Sequence, residues 1–227
     1  MLLDFPKQYL KINDKTVIEH TLDIFFNHDQ VAGVVVVLHP SDPYWRDLNI
    51  SSINKPLYTV NGGENRSDSV IQGLKCLQEE VGIKNNSWVM VHDSVRPCLL
   101  QTDIDSLLEL RVDESVGGIL ASPVRDTMKR VNANLKHNKK KVLATEPREN
   151  LWHAMTPQMF RLGDLSNALL HCREKNVNIT DESSAMENMN YQPELVEGSH
   201  NNIKITHPSD IALAKFFLSE KKTDRKV

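Results

Sequence analysis

Trp88-Val89-Met90-Val91-His92-Asp93-Ser94-Val95-Arg96-Pro97 decides the fold. Its first half is an apolar, β-branched run, which reads as a buried strand. It then changes to a carboxylate, two small residues, an arginine and a proline. Proline cannot donate to a sheet ladder and restricts the residue before it, so the strand is expected to stop near His92. Asp93 and Arg96 then stand at the carboxyl edge of a buried strand, where open α/β sheets bind ligands. Opposite charges three residues apart at such an edge suit a metal ion and a phosphate better than a core. A plain surface ion pair, contributing little stability, is the bland alternative.

Working outward, strand and helix patterns alternate. Val31 to Leu38 is a near-continuous valine run, as in a strand covered on both faces. Thr16 to Phe26 spaces Val17, Ile18, Leu22, Ile24 and Phe25 helically. Ser41 is placed as the N-cap of a short helix. Leu57 to Val60 reads as a strand, Ser67 to Glu80 as a helix with Val70, Ile71, Leu74 and Leu77 on one face, and Thr102 to Arg111 as a helix. Val116 to Ala121 reads as a strand ended by Pro123. Helices are expected at Asp164 to Lys175, Asp181 to Asn188 and Pro208 to Leu218, with a frayed tail after Ser219. Ile203 to Thr206 is expected as a short alternating strand. This alternation implies βαβ units with right-handed crossovers: a three-layer α/β fold on a mostly parallel sheet, in a single domain over 1–227.

Arg125 to Arg148 breaks the rhythm. It carries Lys129, Lys136, Lys139, Lys140 and Lys141, with two short apolar segments, Met128–Val131 and Lys141–Thr145, around a polar turn. This reads as a protruding two-stranded β-arm. A lone hairpin is marginal in water, so a second subunit is expected to cover it.

Composition narrows the function classes. The 227 residues carry a net charge of −3, so no general affinity for nucleic acid follows, and the arm lacks the aromatics that stack bases. Cys76, Cys98 and Cys172 are odd in number and outside any CxxC spacing, which suits reduced thiols in a cytoplasm and no structural zinc. No apolar run spans a bilayer and no signal-peptide pattern opens the chain.

Other candidate sites each have an ordinary explanation. Gly62-Gly63-Glu64-Asn65-Arg66-Ser67-Asp68-Ser69 joins a strand to a helix, as a phosphate cradle does. It also fits a tight turn capped by Ser67. Lys7 alone is an ordinary solvated lysine. Lys204 interrupts an apolar stretch, and either snorkels at an edge or reaches into a site. His20, His28 and His39 lack ligand spacing and are placed on surfaces or caps.

Taken together, Pro6-Lys7-Gln8-Tyr9, Gly62 to Val70, Val91 to Pro97, Pro123-Val124-Arg125-Asp126-Thr127-Met128-Lys129, Leu151-Trp152-His153-Ala154-Met155-Thr156-Pro157-Gln158, Thr180-Asp181-Glu182 and Val196-Glu197-Gly198 with Asn202 to Thr206 resemble the 2-C-methyl-D-erythritol 4-phosphate cytidylyltransferase family, in its order and over nearly the whole chain. The resemblance implies a Rossmann-like nucleotidyltransferase of non-mevalonate isoprenoid biosynthesis. It would be a cytoplasmic homodimer joined through arm 125–148, converting CTP and methylerythritol phosphate, with Mg²⁺, to CDP-methylerythritol and pyrophosphate.

By matching position, Lys7, Arg148 and Lys204 would be catalytic. Lys7 would stabilise charge on the α-phosphate, Lys204 would hold the acceptor phosphate, and Arg148 would act across the dimer. Gly63, Glu64 and Ser69 would border cytosine and ribose, with Ser94 also on the CTP side. Asp93 would sit near the metal and the acceptor, and Arg96, Thr127, Thr156 and Thr180 would complete the acceptor site. Glu64 replaces the family's more frequent aspartate. The family also opens with an apolar strand and a glycine-rich loop ending in arginine–methionine shortly before Pro-Lys-Gln-Tyr. Here Met1 stands at that methionine, so the strand, the loop and its arginine are expected to be missing, with loss of ladder bonds and of triphosphate donors. Two alternatives stay open: a cytidylyltransferase for another polyol phosphate such as ribitol 5-phosphate, and a non-catalytic dimeric remnant.

Overall fold

The computed structural model describes residues 5–48, 50, 55–112, 114–132 and 140–224. Its first elements are the short strands β1 (Lys11–Ile12) and β2 (Lys15–Thr16) and helix α1 (Val17–Phe26). Thr16 and Glu19 cap α1 reciprocally: the Thr16 hydroxyl accepts the Glu19 N–H and the Glu19 carboxylate accepts the Thr16 N–H. Strands β3 (Val34–Leu38) and β4 (Leu57–Asn61) follow as a parallel pair. Between them Asp42, and not Ser41, accepts the N–H groups of Tyr44 and Trp45 and shapes a single 3₁₀ turn. Helix α2 (Arg66–Lys75) runs into a π-helical turn at Cys76–Glu80, and then come β5 (Trp88–Val91) and α3 (Gln101–Leu108).

The second half is built on β6 (Gly117–Pro123) and the ten-residue β9 (Trp152–Arg161), with the hairpin β7 (Met128–Val131) and β8 (Val142–Glu146) between them. Helices α4 (Leu162–Glu174) and α5 (Glu182–Asn188), strand β10 (Glu194–Glu197) and helix α6 (Pro208–Asp224) complete the chain. The main sheet has the order β10-β6-β9-β5. Its β10–β6 pair is parallel, and β9 runs antiparallel to both neighbours. Among the described residues the sheets are therefore mixed and not mostly parallel. The parallel expectation came from βαβ alternation, which passed over β9. The expected strand at Ile203–Thr206 is irregular backbone instead, and the pairing next to β6 falls to β10. Helix α6 continues past the expected frayed end, to Asp224.

β5 pairs only with β9 and β3 only with β4, so among the described residues the two sheets do not share a ladder.

Side chains alternate across each strand and so feed two cores. Val89, Ile119 and Phe160 point to α2, α4 and α5, where Ile71, Leu74, Leu165, Leu169 and Met186 are buried. Their neighbours Leu120 and Met159 point to α1 and α3, against Phe25, Ile104 and Leu107. Helices thus cover both faces of the sheet in three layers. The hairpin β7–β8 forms a two-stranded antiparallel sheet of its own, and its strand side chains are almost all exposed. Lys136 and Lys139 lie outside the described residues.

Gly117 opens β6 with φ +101°, and a Cβ there would lie 2.1 Å from the Met159 carbonyl oxygen. The β6–β9 pairing therefore requires glycine at this position. Gly117→Ala is expected to cost about 2 kcal/mol or more of stability, from strain and disrupted pairing. Urea unfolding checks this, and an unchanged midpoint would show that the close approach is not needed.

Candidate active site

β5 ends at Val91, and the next five residues turn across its carboxyl end, closed by the Arg96 N–H donating to the Asp93 carbonyl, 3.1 Å. The turn puts the Asp93 and Arg96 side chains on the same side, with Arg96 Nε 3.3 Å from Asp93 Oδ2. Lys204 reaches the same oxygen at 3.0 Å, and Arg66 Nε lies 3.7 Å from Oδ1. One carboxylate, 12% exposed, thus faces three cations from three parts of the chain. Burial pushes its carboxyl up, yet the three cations, Lys204 first, more than offset this and hold it below the ordinary value. The pair at Asp93 and Arg96 is therefore not a surface ion pair.

Each cation has its own support. Lys204 lies beside Ile205, which is fully buried and donates its N–H to the Val95 carbonyl, 3.0 Å. Arg96 Nη1 donates to the Asn202 carbonyl, 2.8 Å. Arg66 makes a two-pronged pair with Glu182, at 2.7 and 2.9 Å, although 116 residues separate them. Glu182 is fully buried and burial raises its carboxyl, while Arg66 partly offsets this. The sequence block Thr180-Asp181-Glu182 gives Glu182 no role of its own, because a carboxylate in the first turn of a helix reads as a solvated charge.

Arg66, Ser67, Thr180, Asp181 and Glu182 line a small cavity beside this pair, which places Thr180 next to the charge cluster. Lys7 Nζ donates to the Thr206 carbonyl, 3.0 Å, so it converges on the segment that carries Lys204. Thr156 lies beneath the turn, buried, and its hydroxyl accepts the Asp93 N–H, 3.1 Å. The Ser94 carbonyl accepts the Thr21 hydroxyl, which ties the turn to α1. Thr127 and Arg148 are exposed at the base of the arm. Arg148 donates to the Arg125 carbonyl, and among the described residues no hydrogen bond or ion pair joins either of them to Asp93.

The glycine loop has its own geometry. Gly63 donates its N–H to Ser69 Oγ, 3.2 Å, and a Cβ on Gly63 would lie 2.4 Å from Asp68 Cβ. The first turn of α2 therefore closes onto this glycine, and its N-cap is Asn65, which accepts the Asp68 N–H, not Ser67. Glu64 is exposed beside it. His28, expected on a surface or a cap, is buried, with Nε2 3.1 Å from Asp105 and Nδ1 accepting the Gln30 N–H.

Among the described residues no group of three metal-ligating side chains exists, so an all-protein metal cage is absent there. Asp93 offers the single hard carboxylate that Mg²⁺ uses when substrate phosphates supply other oxygens. That donor set fits Mg²⁺ brought by a nucleotide.

A three-layer α/β fold with Asp93, Lys204, Arg96 and the Arg66–Glu182 pair gathered at a strand's carboxyl rim, and Lys7 anchored to the segment that carries Lys204, defines a class of proteins that bind anionic, phosphate-bearing ligands. Comparison with known proteins makes this specific. The family model for 2-C-methyl-D-erythritol 4-phosphate cytidylyltransferase matches residues 1–220. The chain is 46% identical over 223 residues to the enzyme of that name from Vibrio atlanticus, covering 98% of this chain and 91% of that protein. It is 48% identical over 225 residues to the one from Photorhabdus laumondii, covering 96% and 89%. The crystal structure of the Francisella tularensis 2-C-methyl-D-erythritol 4-phosphate cytidylyltransferase superposes with TM-score 0.81 at 36% identity, covering 94% of each chain. That of the Thermus thermophilus protein gives 0.76 at 27%. The chain belongs to the 2-C-methyl-D-erythritol 4-phosphate cytidylyltransferase family.

Two outcomes follow from the charge geometry. Because Asp93 is depressed in the folded state, its contribution is fully present above its unfolded value near 3.8 and is lost as pH falls through the lower folded value. Urea unfolding should show Asp93→Asn less stable than the wild type at pH 6, with the gap closing below about pH 4. A gap that widens on acidification would contradict this. Arg66→Ala leaves Glu182 buried and unpaired and should cost about 3 kcal/mol, whereas Glu182→Met leaves Arg66 free to reach solvent and should cost clearly less. Equal losses would show that burial of the carboxylate is not the cause.

Proposed function

We propose that this chain transfers a cytidylyl group from CTP to 2-C-methyl-D-erythritol 4-phosphate, releasing pyrophosphate. The observation that carries the reading is the Asp93 carboxylate ringed by Lys204, Arg96 and Arg66, with Lys7 anchored two residues from Lys204. Family membership supplies the substrates. A phosphate oxygen of the acceptor attacks the α-phosphorus of CTP in line. The new P–O bond forms as the bond to the β-phosphate breaks, and pyrophosphate leaves with its electron pair. This chemistry needs no covalent enzyme intermediate, so positioning and charge neutralisation do the work.

Lys204 and Arg96 are placed to take the acceptor phosphate, and releasing them from Asp93 frees its oxygens. Asp93 would then be the residue that holds Mg²⁺. Bound there, the ion supplies neutralisation of phosphate charge. Lys7 is placed for the charge that develops on the α-phosphate. Gly63, Glu64, Ser69 and Ser94 border the nucleotide, and Thr127 and Thr180 face the acceptor. The exposed hairpin β7–β8 supports a homodimer in which the arm embraces the partner and Arg148 serves the partner's site. A cytoplasmic location agrees with its buried free cysteines. No described helix is long and apolar enough to cross a membrane.

Pyrophosphate release from CTP, methylerythritol phosphate and Mg²⁺ tests the proposal. Release is expected, faster than with ribitol 5-phosphate, and Lys204→Ala should lower kcat/KM by roughly 10²–10³-fold. No release would overturn the reading, and a preference for ribitol 5-phosphate would redirect it.

A further inference from the structure

We propose that His92 and Thr156 form a one-way hydrogen-bond relay that positions Asp93 and Arg96 for the reaction, neither relay residue touching substrate. The inference deepens the proposed function and rests on it for its kinetic readout. The direction of each bond follows from which atoms can donate. The Arg96 carbonyl oxygen only accepts, and His92 Nε2 lies 3.2 Å from it, so Nε2 carries the proton. The relay uses the neutral form of the ring. A neutral ring protonated at Nε2 has a bare lone pair at Nδ1. The Thr156 hydroxyl, 3.0 Å away, therefore donates to Nδ1. Having spent its only proton, that hydroxyl accepts the Asp93 N–H at 3.1 Å.

The relay joins both ends of the turn to β9. His92 holds the Arg96 end through its carbonyl, and Thr156 holds the Asp93 end through its amide. A second path closes the circuit: Asn202 Nδ2 donates to the Thr156 carbonyl and the Asn202 carbonyl accepts from Arg96 Nη1, each 2.8 Å. Phe25 packs edge-on against the imidazole at 5.2 Å, which limits its rotation. Thr156 is 4% exposed with its hydroxyl engaged on both sides, so its contribution to the acceptor site is exerted through Asp93. This differs from direct contact with the acceptor, which the family resemblance implies for Thr156.

The test combines spectroscopy with a mutant cycle. In the wild-type protein at pH 7 without substrate, ¹⁵N–¹H correlation of the histidine rings should show His92 as the neutral tautomer protonated at Nε2. Protonation at Nδ1 would overturn the relay whether or not the protein is active, so the relay and the proposed reaction fail separately. Thr156→Val keeps the shape and removes the hydroxyl. It should lower kcat by about 10–100-fold while leaving the acceptor KM within about threefold, and Thr156→Ser should recover most of the loss. His92→Phe should show a similar loss, and the double variant should be no worse than the poorer single. Additive losses, or a Thr156→Val effect confined to the acceptor KM, would show direct contact instead.

Discussion

A buried carboxylate facing three cations is the constraint on which the rest of the site depends. Removing charges from water is costly, and attraction between them offsets that cost only where geometry and further hydrogen bonds are good. Asp93 meets the condition because Lys204, Arg96 and Arg66 come from three separate segments, each anchored by backbone or by a second carboxylate. With Glu182 paired to Arg66, two carboxylates face three cations, so the cluster keeps one positive charge in excess. A phosphate entering there completes a charge balance that the protein leaves open.

The fold is arranged to hold that imbalance. β5 delivers the turn, β9 lies directly beside it and fastens it through Thr156, and the irregular chain before α6 brings Lys204 over the top. Gln158, two residues along β9 from Thr156, bonds to Asp181 and to the Ser183 N–H at the start of α5, which fixes the end of the helix that carries Glu182. Buried polar side chains on the central antiparallel strand thus serve both sides of the site. Buried polar groups of this kind must be fully partnered, and here nearly all are. The Asn202 side-chain oxygen is the exception among the described residues.

What could be read in the sequence follows from which forces are local. The apolar run 88–91 followed by Asp93, Arg96 and Pro97 marks a strand and its end through steric and solvation rules that act over a few residues. Its functional reading needed only that position. The helical faces of α1, α2 and α3 were legible for the same reason. β9 was not, because Thr156, Pro157 and Gln158 interrupt any strand-like alternation, and their burial is dictated by partners elsewhere in the chain. The pairing of Glu182 was not legible because its partner Arg66 is 116 residues away. Lys204 was legible as an anomaly, and Asp93 resolves it, although the segment that bears it is not a strand. Gly63 reads equally as a ligand cradle or a tight turn, and its contact with Asp68 shows that α2 needs it on packing grounds alone.

On the proposed function, the cations around Asp93 are held for a phosphate, and a crystal structure of the protein with methylerythritol phosphate tests this directly. The ligand phosphate is expected within salt-bridge distance of Lys204 or Arg96, with at least one of these drawn off the Asp93 carboxylate. A phosphate bound elsewhere, with all three ion pairs to Asp93 unchanged, would contradict it.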